Sequence, residues 1–242
     1  MMIICFLVLV LTMSCLITVF WGLYEALRRT SYEERRRKAI FRNVLIIVTG
    51  WLLLLSILSW NGSFAALSEQ VPLPVLVFLL PLPAVLIIAF SKSFSRMLYI
   101  IPPTWLIYMQ SFRIWVAIIL WMALIEDHLP RQMTFEGSDF DIMAGITAPL
   151  IGYCCFDSKS WPAAVAVAWN ILGLLLLINL LVMAVLSLPG PFQYFTNGPT
   201  NNLFITFPFI LLPGILIPIA YSMHIFSLRQ LLQQKRIRAA AH

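Results

Sequence analysis

Gln110 and Arg113 lie three residues apart inside the apolar run from Trp105 to Trp121, which puts an amide and a guanidinium on one helical face. Counting from Pro102-Pro103 at about 1.5 Å per residue, Arg113 lies about 15 Å along the helix, near the middle of a hydrocarbon core about 30 Å thick. A guanidinium costs about 2.5–3.5 kcal/mol at that depth, so such a residue faces the interior of a bundle and has a partner there. Its chemistry would be anion recognition, and the solute it favours is anionic or carries a carboxylate.

The partner is not in the spans, because no apolar core contains an Asp or Glu. The nearest acids are Glu126, Asp127, Glu136, Asp139 and Asp141, in the connection that follows. Phe135 and Phe140 alternate with them, which a fully solvated loop does not call for. The connection is therefore expected to tuck into the mouth of the bundle, the competing reading being a solvated loop. Tucked in, Asp139 and Asp141 stand at the start of the next span, where a helix N-terminus favours negative charge and Arg113 comes within reach. Thr147, Asn170 and Asn179 are further polar groups inside apolar segments, and such residues also serve as hydrogen-bonding glue between helices. The expected binding set is Gln110, Arg113, Glu136, Asp139, Asp141, Thr147, Asn170 and Asn179. His224 is read as an interfacial residue near the end of the last span.

Other chemistries lack their residues. There is no Gly-rich phosphate loop, no His-Glu-x-x-His pair and no Gly-x-Ser-x-Gly turn. The last span has no Lys to carry a retinal Schiff base. Glu126, Asp127, His128, Glu136, Asp139 and Asp141 match no ligand spacing for a divalent metal. Cys5, Cys15, Cys154 and Cys155 all fall in apolar segments, so they form neither a disulfide framework nor a zinc set. No catalytic residue, metal or cofactor is expected.

The elements that must position these residues follow from composition. Of 242 residues, 61% are apolar and 11% charged, against about one quarter charged in soluble domains. Apolar stretches follow one another with little between them, at approximately 3–24, 40–60, 73–90, 105–125, 140–156, 162–187 and 203–226. The expected fold is an all-α integral membrane bundle of seven transmembrane helices forming a single domain over 1–242, with a short basic tail at 227–242. The first span is read as an anchor, not a signal peptide, because its basic cluster follows it.

The net charge of +6 resides at the ends of the apolar segments, which argues for the lipid bilayer as partner and against nucleic acid. Arg28, Arg29, Arg35, Arg36, Arg37, Lys38 and Arg42 fill the first connection, Lys92 and Arg96 the third, Lys159 the fifth, and Arg229, Lys235, Arg236 and Arg238 the tail. All belong to one side, while Arg131 lies on the other. By the positive-inside rule the N-terminus is outside and the C-terminus cytoplasmic, in a bacterial cytoplasmic (inner) membrane. The stretch Glu33 to Lys38 is charged enough to meet anionic headgroups, though topology alone also accounts for it.

Prolines mark two spans, Pro81 and Pro83 in the third and Pro208, Pro213 and Pro218 in the seventh, and both should be bent or broken. Residues 78–91 align without gaps on 209–222 through a shared Phe, a Leu and an Ile-Ala-aromatic-Ser end. Taken as a repeat, this makes a 3+1+3 parallel arrangement. Paired Pro-interrupted spans point to a midplane binding site, although proline is common in membrane helices generally.

The runs Gln110-Ser111-Phe112-Arg113, Gln132 to Gly137, Phe140-Asp141-Ile142 and Thr147-Ala148-Pro149, continuing through Trp169-Asn170 to Leu212-Pro213-Gly214, resemble a family of uncharacterised bacterial seven-span membrane proteins. The resemblance covers mainly the second half and implies fold and location only. The family pattern carries an acid one turn after the arginine, where this chain has Ala117. The functional expectation is a small-solute transporter or solute-binding protein with a polar pocket around Gln110 and Arg113. The alternatives are a seven-helix sensor or receptor with a cytoplasmic partner, and a membrane enzyme using the acidic outer loop 126–141. The transport reading needs a vestibule that reaches Arg113; a guanidinium sealed by a protein carboxylate with no such access would remove it.

Overall fold

The computed structural model describes residues 1–64, 73–187, 194–195 and 203–240. The side chains of Lys235, Arg236 and Arg238, expected in the basic tail, lie outside the described ones, as do residues 241–242. Among the described residues all regular structure is helical.

The first two helices, α1 (Met2–Arg28) and α2 (Glu34–Trp60), have 27 residues each, about 40 Å of helix and ample for a bilayer. Arg28 closes α1 and Glu34 opens α2, the charges that each helix end favours. α2 buries only Leu55 and Ser59, so nearly all of its apolar surface faces outward.

Proline organises the next segment. α3 (Leu73–Leu79) ends just before Pro81, and α4 (Leu82–Phe90) starts just after it, because proline supplies no N–H and its ring clashes with the preceding turn. Ser91 then caps α5 (Lys92–Ile100), its side chain accepting from the Phe94 amide at 3.2 Å. α5 leaves the preceding segment at 76°. The helix α6 (Pro103–Ile125) tightens into a 3-10 turn at Met109–Ser111, directly before Arg113.

Between α6 and α7 (Ile142–Gly152) the connection does not stay in solvent. Leu129, Met133, Thr134 and Asp139 are all buried, so the chain folds back along α6 before α7 begins. α7 ends in a π turn at Tyr153–Asp157. It is followed by α8 (Ala163–Ser187) and, after a π turn at Leu212–Leu216 holding Pro213, by α9 (Ile217–Ala240). The last segment is the hub: α9 packs against α8, the first half of α6, α4 and α5, while its π turn packs against α1, α2 and α3. Residues 208–216 are buried without interruption.

Five helices among the described residues are long and apolar enough to cross a membrane, or six when the bent segment of α3–α5 counts as one. Ile142–Asp157 is apolar but shorter. It begins late because the 126–141 connection has already carried the chain into the bundle.

Candidate functional site

Arg113 is 1% exposed. α6 positions it, and the 3-10 turn before it sets its angular position on the helix. Its guanidinium forms a two-point contact with Asp141, with Nε donating to Oδ2 at 2.7 Å and Nη2 to Oδ1. This is the fork geometry in which arginine holds a carboxylate most strongly. Asp141 stands immediately before α7, so the helix N-terminus also favours its charge. A neighbouring carboxylate organises it, since Asp139 Oδ1 accepts the Asp141 amide at 2.9 Å.

The approach of α7 to α6 depends on Gly145. A Cβ there would lie 2.9 Å from the Ile114 amide nitrogen and 3.3 Å from the Arg113 Cβ. One residue with no side chain brings the two backbones close enough for a short Asp to span the gap.

The third donor goes elsewhere. Arg113 Nη1 lies 2.8 Å from His224 Nε2, and because a guanidinium has only donors, Nε2 must accept. The imidazole proton is therefore on Nδ1, which donates to Asn170 Oδ1 at 2.9 Å. With its oxygen used in this way, Asn170 donates through Nδ2 to Ala166 O at 2.7 Å and to Ser227 Oγ at 3.0 Å. Each assignment forces the next, and the His224 in this chain is neutral. Gly173 faces the imidazole, and a Cβ at that position would collide with Cε1 and Nε2. Trp169 closes another side of the ring, with centroids 5.1 Å apart.

The structure thus joins Arg113, Asp139, Asp141 and Asn170 into one buried network, with His224 and Ser227 as additional members. His224, read from sequence as interfacial, is fully buried. A signal for it existed: Asn170 and His224 are polar residues in two different apolar segments, and buried polar groups find one another.

The other candidates lie apart. Gln110 is fully buried on the same helix and donates to Ala220 O at 2.9 Å, while its Oε1 has no partner among the described residues. Asn179 holds the connection in place by donating to Ser138 O at 2.7 Å. Thr147 accepts from Trp169 Nε1 at 2.8 Å, a bond between α7 and α8. Glu136 is at the rim, accepting from Trp121 Nε1 at 2.5 Å and standing 3.9 Å from Arg131. Among the described residues no group of three His, Cys, Asp or Glu could hold a metal ion.

A cavity of about 50 Å³ adjoins the ion pair. Arg113 and Asp141 form part of its wall, and Phe78, Phe112, Leu177 and Leu216 are among the apolar side chains that make up nearly all the rest. Gln110 does not line it. Pro213 does, so the π turn of the last segment is part of the same wall. At roughly 10–15 Å³ per water-sized group, the space takes a few such groups.

A family model described as a domain of unknown function, DUF8737, matches residues 70–232. The comparisons with curated proteins and with solved structures found no match.

Proposed function

The chain belongs to the family of the domain of unknown function DUF8737, and because membership brings no activity with it, we propose from the geometry that the protein binds a small amphipathic carboxylate within the membrane, as a transporter or solute-binding protein. The solute's apolar end occupies the cavity and its carboxylate takes the place of Asp141 on Arg113. Arg113 is held by a protein carboxylate, the arrangement that counts against transport, and the reading rests on one observation: the buried guanidinium in its fork forms part of the wall of an apolar cavity that reaches it. The internal carboxylate is then a stand-in for that of the solute.

Exchange has a physical condition. Leaving Asp141 ionised and buried without its partner costs about 3–5 kcal/mol, so solute can enter only as Asp141 withdraws with the 126–141 connection or takes up a proton. Helix irregularities surround the point where this happens, namely the Leu79–Leu82 break, the 3-10 turn at Met109–Ser111 and the π turn at Leu212–Leu216. Discontinuous helices at a midplane site are how many transporters bind and move a solute. In this reading the chain crosses seven times, N-terminus outside and C-terminus cytoplasmic, with Ile142–Asp157 as a short fifth crossing that the re-entering connection completes.

Substitutions at the two partners should act in opposite directions. Purified protein in micelles is titrated with straight-chain carboxylates from butyrate to octanoate, binding being followed by thermal unfolding and tryptophan fluorescence. Asp141→Asn removes the competing carboxylate and should tighten binding at least tenfold. Arg113→Lys retains charge but loses the fork, and should weaken it by a similar factor. Equal affinity in wild type and Asp141→Asn, or no saturable binding to either, ends the proposal.

A further inference from the structure

A second cationic site lies away from this network, where α5 meets the connection between α1 and α2. Lys92 and Arg96 are exposed on α5, and Met97 and Leu98 are buried on its other side. The helix is held against the bundle by its own backbone carbonyls: Gln230 Nε2 donates to Leu98 O at 2.5 Å and to Ile101 O at 2.7 Å, and Tyr32 Oη to Ser93 O at 3.3 Å. Ser95 Oγ adds a bond to Gln233 Oε1 at 2.8 Å. A short amphipathic helix turned 76° from an apolar segment, basic on one face and anchored by the other, has the form of a helix lying in the plane of a membrane interface.

Two guanidiniums converge there on one ring. Arg36 Cζ is 4.5 Å and Arg96 Cζ 5.9 Å from the centroid of Tyr32. Like charges gathered on one phenol repel, and the local acids do not offset them. Glu25 is held by Arg28 at 3.5 Å and Arg29 at 3.0 Å, and Glu34 by Lys38 at 2.6 Å. Glu33 makes no ion pair with Arg36 or Arg96 among the described residues. Arg229 adds a third cation beside the α4–α5 bend, 5.5 Å over Phe90, with a buried Nε that has no partner among the described residues. Aromatic rings at the same end include the Trp21–Trp105 pair, centroids 5.5 Å apart, with Arg29 5.0 Å over Trp105. Exposed tryptophan and tyrosine are the side chains enriched at headgroup depth.

We propose that Arg36 and Arg96, positioned by Tyr32, clamp the phosphate of an anionic phospholipid headgroup against α5. The lipid is preferred to a soluble anion because the site sits beside an in-plane helix and aromatic rings, where headgroup phosphates are concentrated. The inference rests on the membrane-spanning reading but not on the Arg113 solute site.

The test is lipid binding to the purified full chain in dodecylmaltoside micelles, read as retained lipid by native mass spectrometry and as thermal stabilisation. The probes are dioleoylphosphatidylglycerol, dioleoylphosphatidylcholine and inorganic phosphate. Phosphatidylglycerol should bind saturably and in preference to phosphatidylcholine, and Arg36→Gln with Arg96→Gln should weaken it roughly thirtyfold, at about one charge's surface attraction per arginine. The pair Arg35→Gln with Arg37→Gln removes the same amount of charge from residues flanking Arg36 on α2 and should leave binding within twofold of wild type. Both double variants should unfold at the wild-type temperature without lipid, because Arg35, Arg36 and Arg96 are exposed, Arg37 is only partly buried, and none of these side chains makes a hydrogen bond or ion pair among the described residues. Equal loss in the two double variants would reduce the site to general basicity, and no preference over phosphatidylcholine would remove it. Stabilisation by millimolar phosphate matching that by lipid would overturn the assignment to a headgroup. Release of the wild-type chain from membranes by alkaline carbonate would sink the spanning reading itself.

Discussion

Arg113 has donors and no acceptor, and that asymmetry orders everything around it. It compels His224 Nε2 to accept, the Nδ1 proton to point at Asn170, and the Asn170 amide to turn its nitrogen toward Ser227. The ring has its place only because Gly173 leaves room for it. Gly173→Ala should therefore drive a methyl group into the imidazole and destabilise the protein by about 1–3 kcal/mol, against the usual gain of alanine over glycine within a helix. Gly22→Ala serves as the control, since a Cβ there meets nothing within 4 Å. Unfolding of both variants in detergent measures the difference, and a Gly173→Ala protein as stable as Gly22→Ala would show that the ring is not held as described. Of this network, the need for a partner to Arg113 was legible from its depth in an apolar run. The involvement of His224 had only a weak signal, that it is like Asn170 a polar residue in an apolar segment, because nothing in the local sequence distinguishes an interfacial histidine from one turned inward.

At the scale of elements, the breaks do the positioning. The proline-marked segments 78–91 and 209–222 are both irregular, the first split around Pro81 and the second opened into a π turn around Pro213. A π turn misaligns the helix's own hydrogen bonds, and here a neighbour supplies one: Trp51 Nε1 donates to Gly214 O at 2.8 Å. α2, otherwise barely buried, is tied to the last segment by this bond and by Ser59 Oγ to Ile205 O at 2.8 Å. Trp51→Phe should cost about 0.6 kcal/mol, the average for such bonds between membrane helices, and no more than about 1.7 kcal/mol. Equilibrium unfolding in mixed micelles reads the loss, and an unchanged free energy would mean that the π turn does not depend on α2. The aligned prolines pointed to irregular helices because a missing N–H is a property of the residue. That Trp51 would be the compensating donor depends on two segments 163 positions apart in the chain.

At the scale of the whole molecule, the proposed crossings and their orientation can be tested directly. Five or six helices among the described residues pass on length and apolarity, and the proposed total of seven rests on a short α7 and a re-entering connection. The basic residues make the expected arrangement testable by single-cysteine labelling of intact cells, in a background where Cys5, Cys15, Cys154 and Cys155 are replaced by Ala or Ser. Arg131→Cys should react with an impermeant maleimide from outside, while Lys38→Cys and Lys159→Cys should react only after permeabilisation. Labelling of all three from one side would refute the seven-crossing reading while leaving the buried network intact.

Sequence alone determined the helical class, the presence of several long apolar helices, the irregular proline-bearing helices and the demand that Arg113 find an anion. These follow from quantities that belong to single residues or short windows, such as transfer energy, a missing N–H or the cost of a buried charge. Tertiary structure decided that Asp141 takes the fork while Asp139 holds the Asp141 amide, that Gln110 faces Ala220 and not the cavity, and that Gly145 and Gly173 admit the partners. Those outcomes depend on how closely backbones distant in sequence approach one another, and the packing of the whole bundle sets those distances.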